Sequence, residues 1–539
     1  MIATVQIAVL LLLVLAAVAL AARRLSVPPA ILLVVVGALL ALVPGLPRVE
    51  LVPELVLLLV LPPLIYSAGV AMSWREFRFN LRPITLLAIG CVVFTTVAVA
   101  IVGHGLLGLS WPAAFVLGAI ISPPDVVAPL AIARRLGLPR RLLVILEGEG
   151  LANDATALIL YRFAVVAVST GAFSLGPALG TFGAIFVGEI AYGIAVGWGM
   201  LRVRRFARDP RVEITLSLVT PYLAFWVPEH LGGSGVLATV ATGLYVSWNG
   251  PLMISSATRL QGVFFWGLFT YLIEGMVFLL TGLQARTLME RIGDLPAREL
   301  LTSAALISFV VIVARFVWTF PATYLPRWLV PSIARRDPSP EWQAPFLIAF
   351  TGIRGIVSLA AALAIPLATA SGEPFPHRDL ILFLTFCVIV VTLIGQGLLL
   401  PSVIRWLGLT ELGRRERLGD AAEELASRRR TIDAVLRRLD VLEIERGLPA
   451  QIVEPLRAHH QDRLLQLGYK TGAAERDQEL ARLSDELERQ LIDAEREHLY
   501  ELLCDGRLKD DARRRIESEL DLRDALLTRT TPGRGNDDV

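Results

Sequence analysis

The chain has 539 residues, with 51 Lys+Arg against 49 Asp+Glu; 55% of the residues are hydrophobic and only 19% charged. A soluble domain carries about a quarter charged residues, so this composition, with a mean hydropathy of +0.62, excludes an ordinary soluble globular protein. The net charge of +2 points to no particular partner, nucleic acid included, and three scattered cysteines (Cys91, Cys387, Cys504) form neither a disulfide framework nor a metal-binding spacing.

Apolar runs long enough to span a bilayer recur along the chain. The first, Met1–Leu20, lacks a basic leader region and is followed by Arg23 and Arg24, which reads as a retained helix rather than a cleaved signal. About 13 spans follow from the pattern, near 3–22, 29–46, 52–72, 83–109, 112–133, 142–170, 176–201, 212–229, 233–248, 262–288, 299–320, 344–368 and 379–407. Arginine-rich connections, such as Arg134/Arg135/Arg140/Arg141 and Arg327/Arg335/Arg336, alternate with nearly neutral ones such as Gly45–Glu50. Arg and Lys favour the cytoplasmic side, so an odd number of spans puts the N-terminus outside and the C-terminus inside. Lysine occurs only at 470 and 509 beside abundant Arg, Ala, Gly and Leu, which suggests a GC-rich bacterial genome and hence a bacterial inner membrane.

The composition changes abruptly near Glu411, giving a transmembrane domain over 1–410 and a charged tail over 411–539. The segment Glu475–Leu503 has apolar residues at three-to-four spacing, the period of an amphipathic helix. The tail is therefore read as a helical cytoplasmic domain, with solvated charge runs and a disordered end over Thr531–Val539.

Two spans are interrupted at polar sites. In the fifth, GAIISPPDVVAPLAIA, Pro123, Pro124 and Pro129 cannot sustain a regular helix, and Asp125 sits at the break. In the twelfth, FLIAFTGIRGIVSLAAALAIP, Gly352 and Gly355 flank Arg354. The breaks fall in the fifth span of two six-span blocks, 1–6 and 8–13, and an offset of seven spans inverts one block relative to the other. Such inverted repeats with crossed discontinuous helices are a transporter layout, with half-helix ends presented to an ion near the midplane. Asp125 and Arg354 would supply the charge those helix ends need. The plainer alternative is that the prolines and glycines merely kink packed helices.

The sixth span begins ILEGEGLAND, placing Glu147, Glu149, Asn153 and Asp154 in an apolar helix. Charges at membrane depth are costly and usually functional. At 1.5 Å per residue Asp154 lies roughly 20 Å along the span, near the midplane. Glu147 and Asp154, seven apart, share a face that Glu149 does not. Arg315 and Arg354 are the best-placed cations, so Glu149 or Glu147 is expected to pair with one of them, leaving Asp154 to titrate. A carboxylate buried without a cation favours its neutral form, and a bound cation favours the charged one. Such a group holds a proton or a metal ion but not both, which is the physical core of exchange. The competing reading makes Asp154 a salt-bridged structural residue. Glu189 and Glu274 are either pathway residues or interhelical hydrogen-bonding groups, the second being preferred, and His104, His230 and His377 are taken as interfacial. No nucleotide loop or catalytic triad appears, so neither an enzyme nor a resident cofactor is expected.

The run SPPDVVAP…RRLGLPRR…ILEGEGLANDATALILYRFA, with FTGIRGIVSLAAALAIP, LPPLIYSAG (61–69), TLIGQGLLLP (392–401) and the tail's ELDLRDALL (519–527), resembles the bacterial sodium/proton exchangers of the cation:proton antiporter superfamily. The resemblance covers about residues 10–410. It implies an all-α polytopic membrane protein and a homodimer in which six core helices move against a scaffold. It also implies that Asp154 binds cation and proton with Asn153 beside it, that an Asn-Asp pair goes with electroneutral exchange, and that Asp125, Glu149, Arg315 and Arg354 are core charges. Three departures bear on ligand oxygens: Gly150 where the family usually has Ser, Ser67 where an acid is common, and Pro124-Asp125-Val126 in place of Thr-Asp-Pro. The expected function is sodium/proton antiport at Asp154, with Asn153, Ser122 and Asp125 completing the site and membrane lipid as surroundings. The rivals are a potassium/proton antiporter, a sodium-coupled organic solute symporter and a non-transporting sensor.

Overall fold

The computed structural model describes residues 2–25, 27–44, 52–171, 175–207, 209–292, 296–369, 372–471, 475–505 and 510–530. The connection Gly45–Glu50 and the end Thr531–Val539 lie outside them. The described chain is helical almost throughout and falls into two units, Met1–Leu412 and Gly413–Val539.

Each predicted span in the first unit falls on a helix or an interrupted helix. Among the described residues, eight helices are long and apolar enough to cross a membrane, and Pro29–Ala41 and Trp111–Ile121 are shorter apolar helices. Length and apolarity alone therefore do not establish thirteen crossings. Pro210–His230 and Val236–Met253 are long enough but insufficiently apolar. The second carries buried polar groups that are satisfied inside the protein: Thr239 Oγ1 donates to Gly235 O (2.9 Å) and Thr242 Oγ1 to Gly193 O (2.8 Å). A helix enclosed by other helices need not be apolar on every face.

Small residues let the helices approach closely, as is usual where lipid supplies no hydrophobic drive. Pro29–Ala41 lies against Ser256–Ile292 with Gly37 and Gly282 at the contact; a β carbon on Gly282 would fall 2.2 Å from Val34 O. In Leu81–Leu107 the turn Leu86–Cys91 is widened, and the Leu86 carbonyl accepts the Trp318 indole N–H (2.9 Å). A widened turn frees a carbonyl from its own helix, and here a neighbouring span uses it.

The central helix is Arg140–Thr170, preceded by Pro139 and closed by Gly171 in the left-handed region (φ 68°), whose N–H reaches Ala167 O (3.0 Å). Beside it lie the two interrupted helices. The first runs Trp111–Ile121, breaks at Ser122–Val126 and resumes as Val127–Arg135; the second runs Gln343–Phe350, breaks over Thr351–Gly355 and resumes as Ile356–Leu363. Exposed backbone at membrane depth must find partners inside the protein. The breaks find them in each other and in a third helix. Asp125 N–H donates to Ile353 O (2.7 Å), and Arg354 N–H donates to Thr392 Oγ1 (2.9 Å) in the widened turn Val391–Gln396.

The second unit holds most of Leu409–Arg446 and the helices Ala450–Thr471, Glu475–Cys504 and Asp510–Thr530. Its described apolar cluster is small (Ile492, Leu499 and Leu520), and ion pairs link its helices. Arg496 binds Asp521 (2.8 Å) and Asp524 (3.4 Å), and Arg457 binds Asp440 and Glu443 (both 2.8 Å). These carboxylates hold both guanidinium groups above their ordinary pKa, hydrogen bonding being the main cause.

Candidate functional site

Asp125 owes its position to the prolines before it. Pro123 and Pro124 end the helix at Ser122 because neither offers an N–H. The Asp125 carboxylate then starts the next helix by accepting Val127 N–H on Oδ1 (2.9 Å), a negative charge at a positive helix end. Its other oxygen lies against the second break: a β carbon on Gly355 would sit 1.7 Å from Oδ2. Arg354 sits between the end of Gln343–Phe350 and the start of Ile356–Leu363, 1% exposed, with Nε and Nη1 finding no hydrogen-bond partner.

The central helix presents Asn153 and Asp154 to the first break. Asn153 is fully buried and its amide donates to Pro124 O (2.7 Å), while Oδ1 is left without a partner. A buried unpaired acceptor costs roughly 1–3 kcal/mol, and Asn153 Oδ1 is such an acceptor with both lone pairs free. Asp154 and Asp125 are each partly exposed and lie within electrostatic reach of one another. Ser122 is buried and its hydroxyl donates to Ala119 O (3.1 Å), leaving lone pairs on the oxygen. The four residues singled out from the sequence, Ser122, Asp125, Asn153 and Asp154, thus gather at one crossing. Ala119, Pro123, Leu158, Tyr161 and Val357 line a small void of about 10 Å³ between the first break and the central helix.

The remaining core charges separate into different roles. Arg315 and Glu149 form a buried two-pronged pair, Nη1 with Oε1 and Nη2 with Oε2 (2.8 Å for the second), and Arg315 Nε donates to Ile348 O (3.0 Å). This is one of the pairings expected; the placing of Glu147 and Arg354 among the paired core charges is what the geometry corrects. Glu147 binds Arg134 (2.6 Å) near the surface, and Arg354 is bonded to neither glutamate. A helix turns about 100° per residue, so Glu147 and Glu149 face different neighbours. Glu147 meets the last turn of Val127–Arg135 and Glu149 meets Ala297–Leu329. Arg162, further along the central helix, pairs with Glu229.

Two residues given no part in the site stand beside it. Thr392 accepts the Arg354 N–H; its cue was a threonine next to Gly395 and Gly397 in TLIGQGLLLP. Glu274, read as an interhelical hydrogen-bonding group, lies within electrostatic reach of Asp125 and Arg134. By contrast, the Glu189 carboxylate accepts Ser234 N–H (2.5 Å) and Gly235 N–H (3.2 Å) at the start of Val236–Met253. Two of the departures are also accounted for. A β carbon on Gly150 would fall 2.4 Å from Val126 Cγ2, so Val126 occupies the room a side chain at 150 needs. Ser67 Oγ donates to Leu64 O within its own helix (2.9 Å). Among the described residues no group of three or more His, Cys, Asp and Glu is arranged to hold a metal ion.

The site and fold can now be set beside known proteins. Residues 9–406 match the family described as sodium/hydrogen exchanger, transmembrane. An uncharacterized Na(+)/H(+) exchanger of Mycobacterium tuberculosis is 35% identical over 514 residues, covering 94% of this chain and 93% of that protein. A protein of Bacillus pumilus named a sodium, potassium, lithium and rubidium/H(+) antiporter is 34% identical over 387 residues, 70% of this chain and 57% of its own length. The sodium proton antiporter MjNhaP1 of Methanocaldococcus jannaschii, at 17% identity, shares the fold: TM-score 0.61, covering 75% of this chain and 99% of that one. A match over this length, a relative of this identity and a crossing of broken helices inside an all-helical multi-pass membrane fold agree, and the chain belongs to the sodium/hydrogen exchanger family.

Proposed function

We propose that this protein exchanges a monovalent cation, sodium by preference, for a proton, with both competing for Asp154. The observation that carries this reading is the convergence of Asp154, Asp125 and the unpartnered Asn153 Oδ1 at the crossing of the two breaks. A hard monovalent cation asks for several oxygens, and these side chains with the Ser122 hydroxyl supply them. A bare Asp154 is too costly to carry past an apolar barrier, so only the proton-loaded and cation-loaded forms move. Asn153 is neutral and the Glu149–Arg315 pair is internally balanced, so with Asp125 keeping one charge state throughout the cycle a single charge at Asp154 is exchanged for one and transport is electroneutral. Arg315 and Arg354 serve as fixed countercharges for Glu149 and for the helix ends.

The protein is a homodimer of a bacterial inner membrane, N-terminus outside and tail in the cytoplasm, with the tail regulatory. The arginine-rich connections support that orientation. Potassium as a further substrate is the second reading. The Bacillus relative's name includes it, and Val126 against Gly150 changes the walls of the site relative to the usual family pattern. The organic solute symporter is disfavoured, since the relatives' names describe antiport.

The test is cation-driven collapse of a preset pH gradient in proteoliposomes with sodium, lithium and potassium, for wild type and Asp154→Asn. Collapse in wild type that is lost in the variant is expected. An equally active variant would overturn the site, and a wild type inert to every cation would overturn antiport.

A further inference from the structure

At the arginine-rich end of the first unit, three guanidinium groups converge on one carboxylate. Arg82 and Arg141 reach Asp337 Oδ2 and Oδ1 (2.5 and 2.7 Å), and Arg327 reaches Oδ2 at 2.7 Å. One aspartate cannot neutralise three arginines, so the cluster keeps an excess of two positive charges. Arg327 is spent, with its Nε on Asp337 O and its Nη1 on Thr323 O. Arg141 also binds Asn80 Oδ1 through Nε (3.1 Å). Among the described residues, Arg82 Nε and Nη1 and Arg141 Nη1 make no hydrogen bond, and the Arg82 and Arg141 side chains are 28% and 38% exposed.

These three arginines also line a cavity of about 180 Å³. Its other walls are mostly apolar, among them Leu86, Leu142, Ile145, Ala322, Ile348 and Leu412. The cavity thus joins a cationic rim to a greasy floor. It lies where Leu81–Leu107 and Arg140–Thr170 begin and Ala297–Leu329 ends, the level at which a span meets the bilayer surface. A free inorganic anion would use the rim and leave the floor empty; a neutral hydrocarbon would do the reverse.

We propose that this cavity binds an anionic phospholipid, with the phosphate on Arg82 and Arg141 and the first methylenes of one acyl chain against Leu86, Ile145 and Ile348. Basic pockets between membrane helices on the positive side are suited to such headgroups, and the bilayer itself provides the ligand at high local concentration. Arg327 positions Asp337, which orients the other two arginines. This inference is independent of the ion-binding reading.

The experiment is thermal unfolding of the full chain in delipidated detergent micelles, titrated with dioctanoyl phosphatidylglycerol, dioctanoyl phosphatidylcholine or inorganic phosphate. Phosphatidylglycerol at about ten times its dissociation constant is expected to raise the midpoint by about 1–2 degrees, and the other two to leave it unchanged. Ala322→Phe, which fills the cavity without touching the charges, is expected to abolish the shift, and Arg82→Gln with Arg141→Gln to do likewise. Should the double variant fail to fold, Ala322→Phe decides. An equal shift from phosphatidylcholine would mean a bulk amphiphile effect, and a full shift from inorganic phosphate a free-anion site. Either result, or an undiminished shift in Ala322→Phe, overturns the proposal.

Discussion

Asn153 divides its amide between two tasks. The N–H end is fixed on Pro124 O, holding the central helix to the broken one, while Oδ1 is buried with nothing to accept from. Removing the side chain therefore subtracts one tether and, under the proposed function, one ligand. Asn153→Ala should raise the sodium concentration for half-maximal exchange roughly tenfold, equivalent to about 1.4 kcal/mol, read from sodium titrations of gradient collapse. Gly150 is constrained by a neighbour. Restoring the family's serine as Gly150→Ser should cost about 1–3 kcal/mol of overpacking, because its β carbon meets Val126. The double variant with Val126→Ala should recover the melting temperature of wild type. A single variant as stable as wild type would show that Val126 moves aside freely.

Among the elements, the two breaks act as one device. One backbone bond joins them, Thr392 of a third helix accepts an N–H of the second, and Asp125 is wedged against Gly355. Gly355→Ala should therefore push the carboxylate out of place and abolish exchange while the protein still inserts and runs as a single species by size exclusion; retained exchange would show that the contact is slack. The Glu149–Arg315 pair behaves differently, since both ends are buried and bonded. Glu149→Gln leaves a buried guanidinium uncompensated, a loss of about 3–5 kcal/mol. Its readout is a lowered melting temperature in detergent, and replacing both partners by apolar residues of similar volume should restore part of it.

For the whole molecule, the proposed competition at Asp154 fixes the sign of the pH response. Protons win at low pH and the cation at high pH, so raising sodium should move the half-activation point to lower pH, by about one unit per tenfold where one ion displaces one proton. An activation curve that stays fixed as sodium changes would rule out a shared site. The first unit contains every residue of the crossing. A protein ending at Leu412 should accordingly keep cation-dependent exchange, altered at most in its pH response; complete loss of exchange from well-folded truncated protein would assign the tail a direct part.

The sequence by itself determined a polytopic helical protein, the two interruptions and the acids beside them. Those follow from rules local to the chain: apolar runs must reach across a bilayer, proline cannot continue a helix, and a charge in an apolar helix needs a reason. That Ser122 and Asp125 stand at a break, and that Asn153 and Asp154 lie in a long apolar helix, was therefore legible. What only the tertiary structure decided is which side chain faces which. Glu147 and Glu149 are two residues apart, yet one meets Arg134 near the surface and the other Arg315 in the core, because helix rotation aims them at different neighbours. The same holds for Thr392 beneath the Arg354 amide, Val126 against Gly150, and the three arginines on Asp337. Each is a contact between segments distant in the chain or on facing helices, and it depends on packing angles that no local pattern carries.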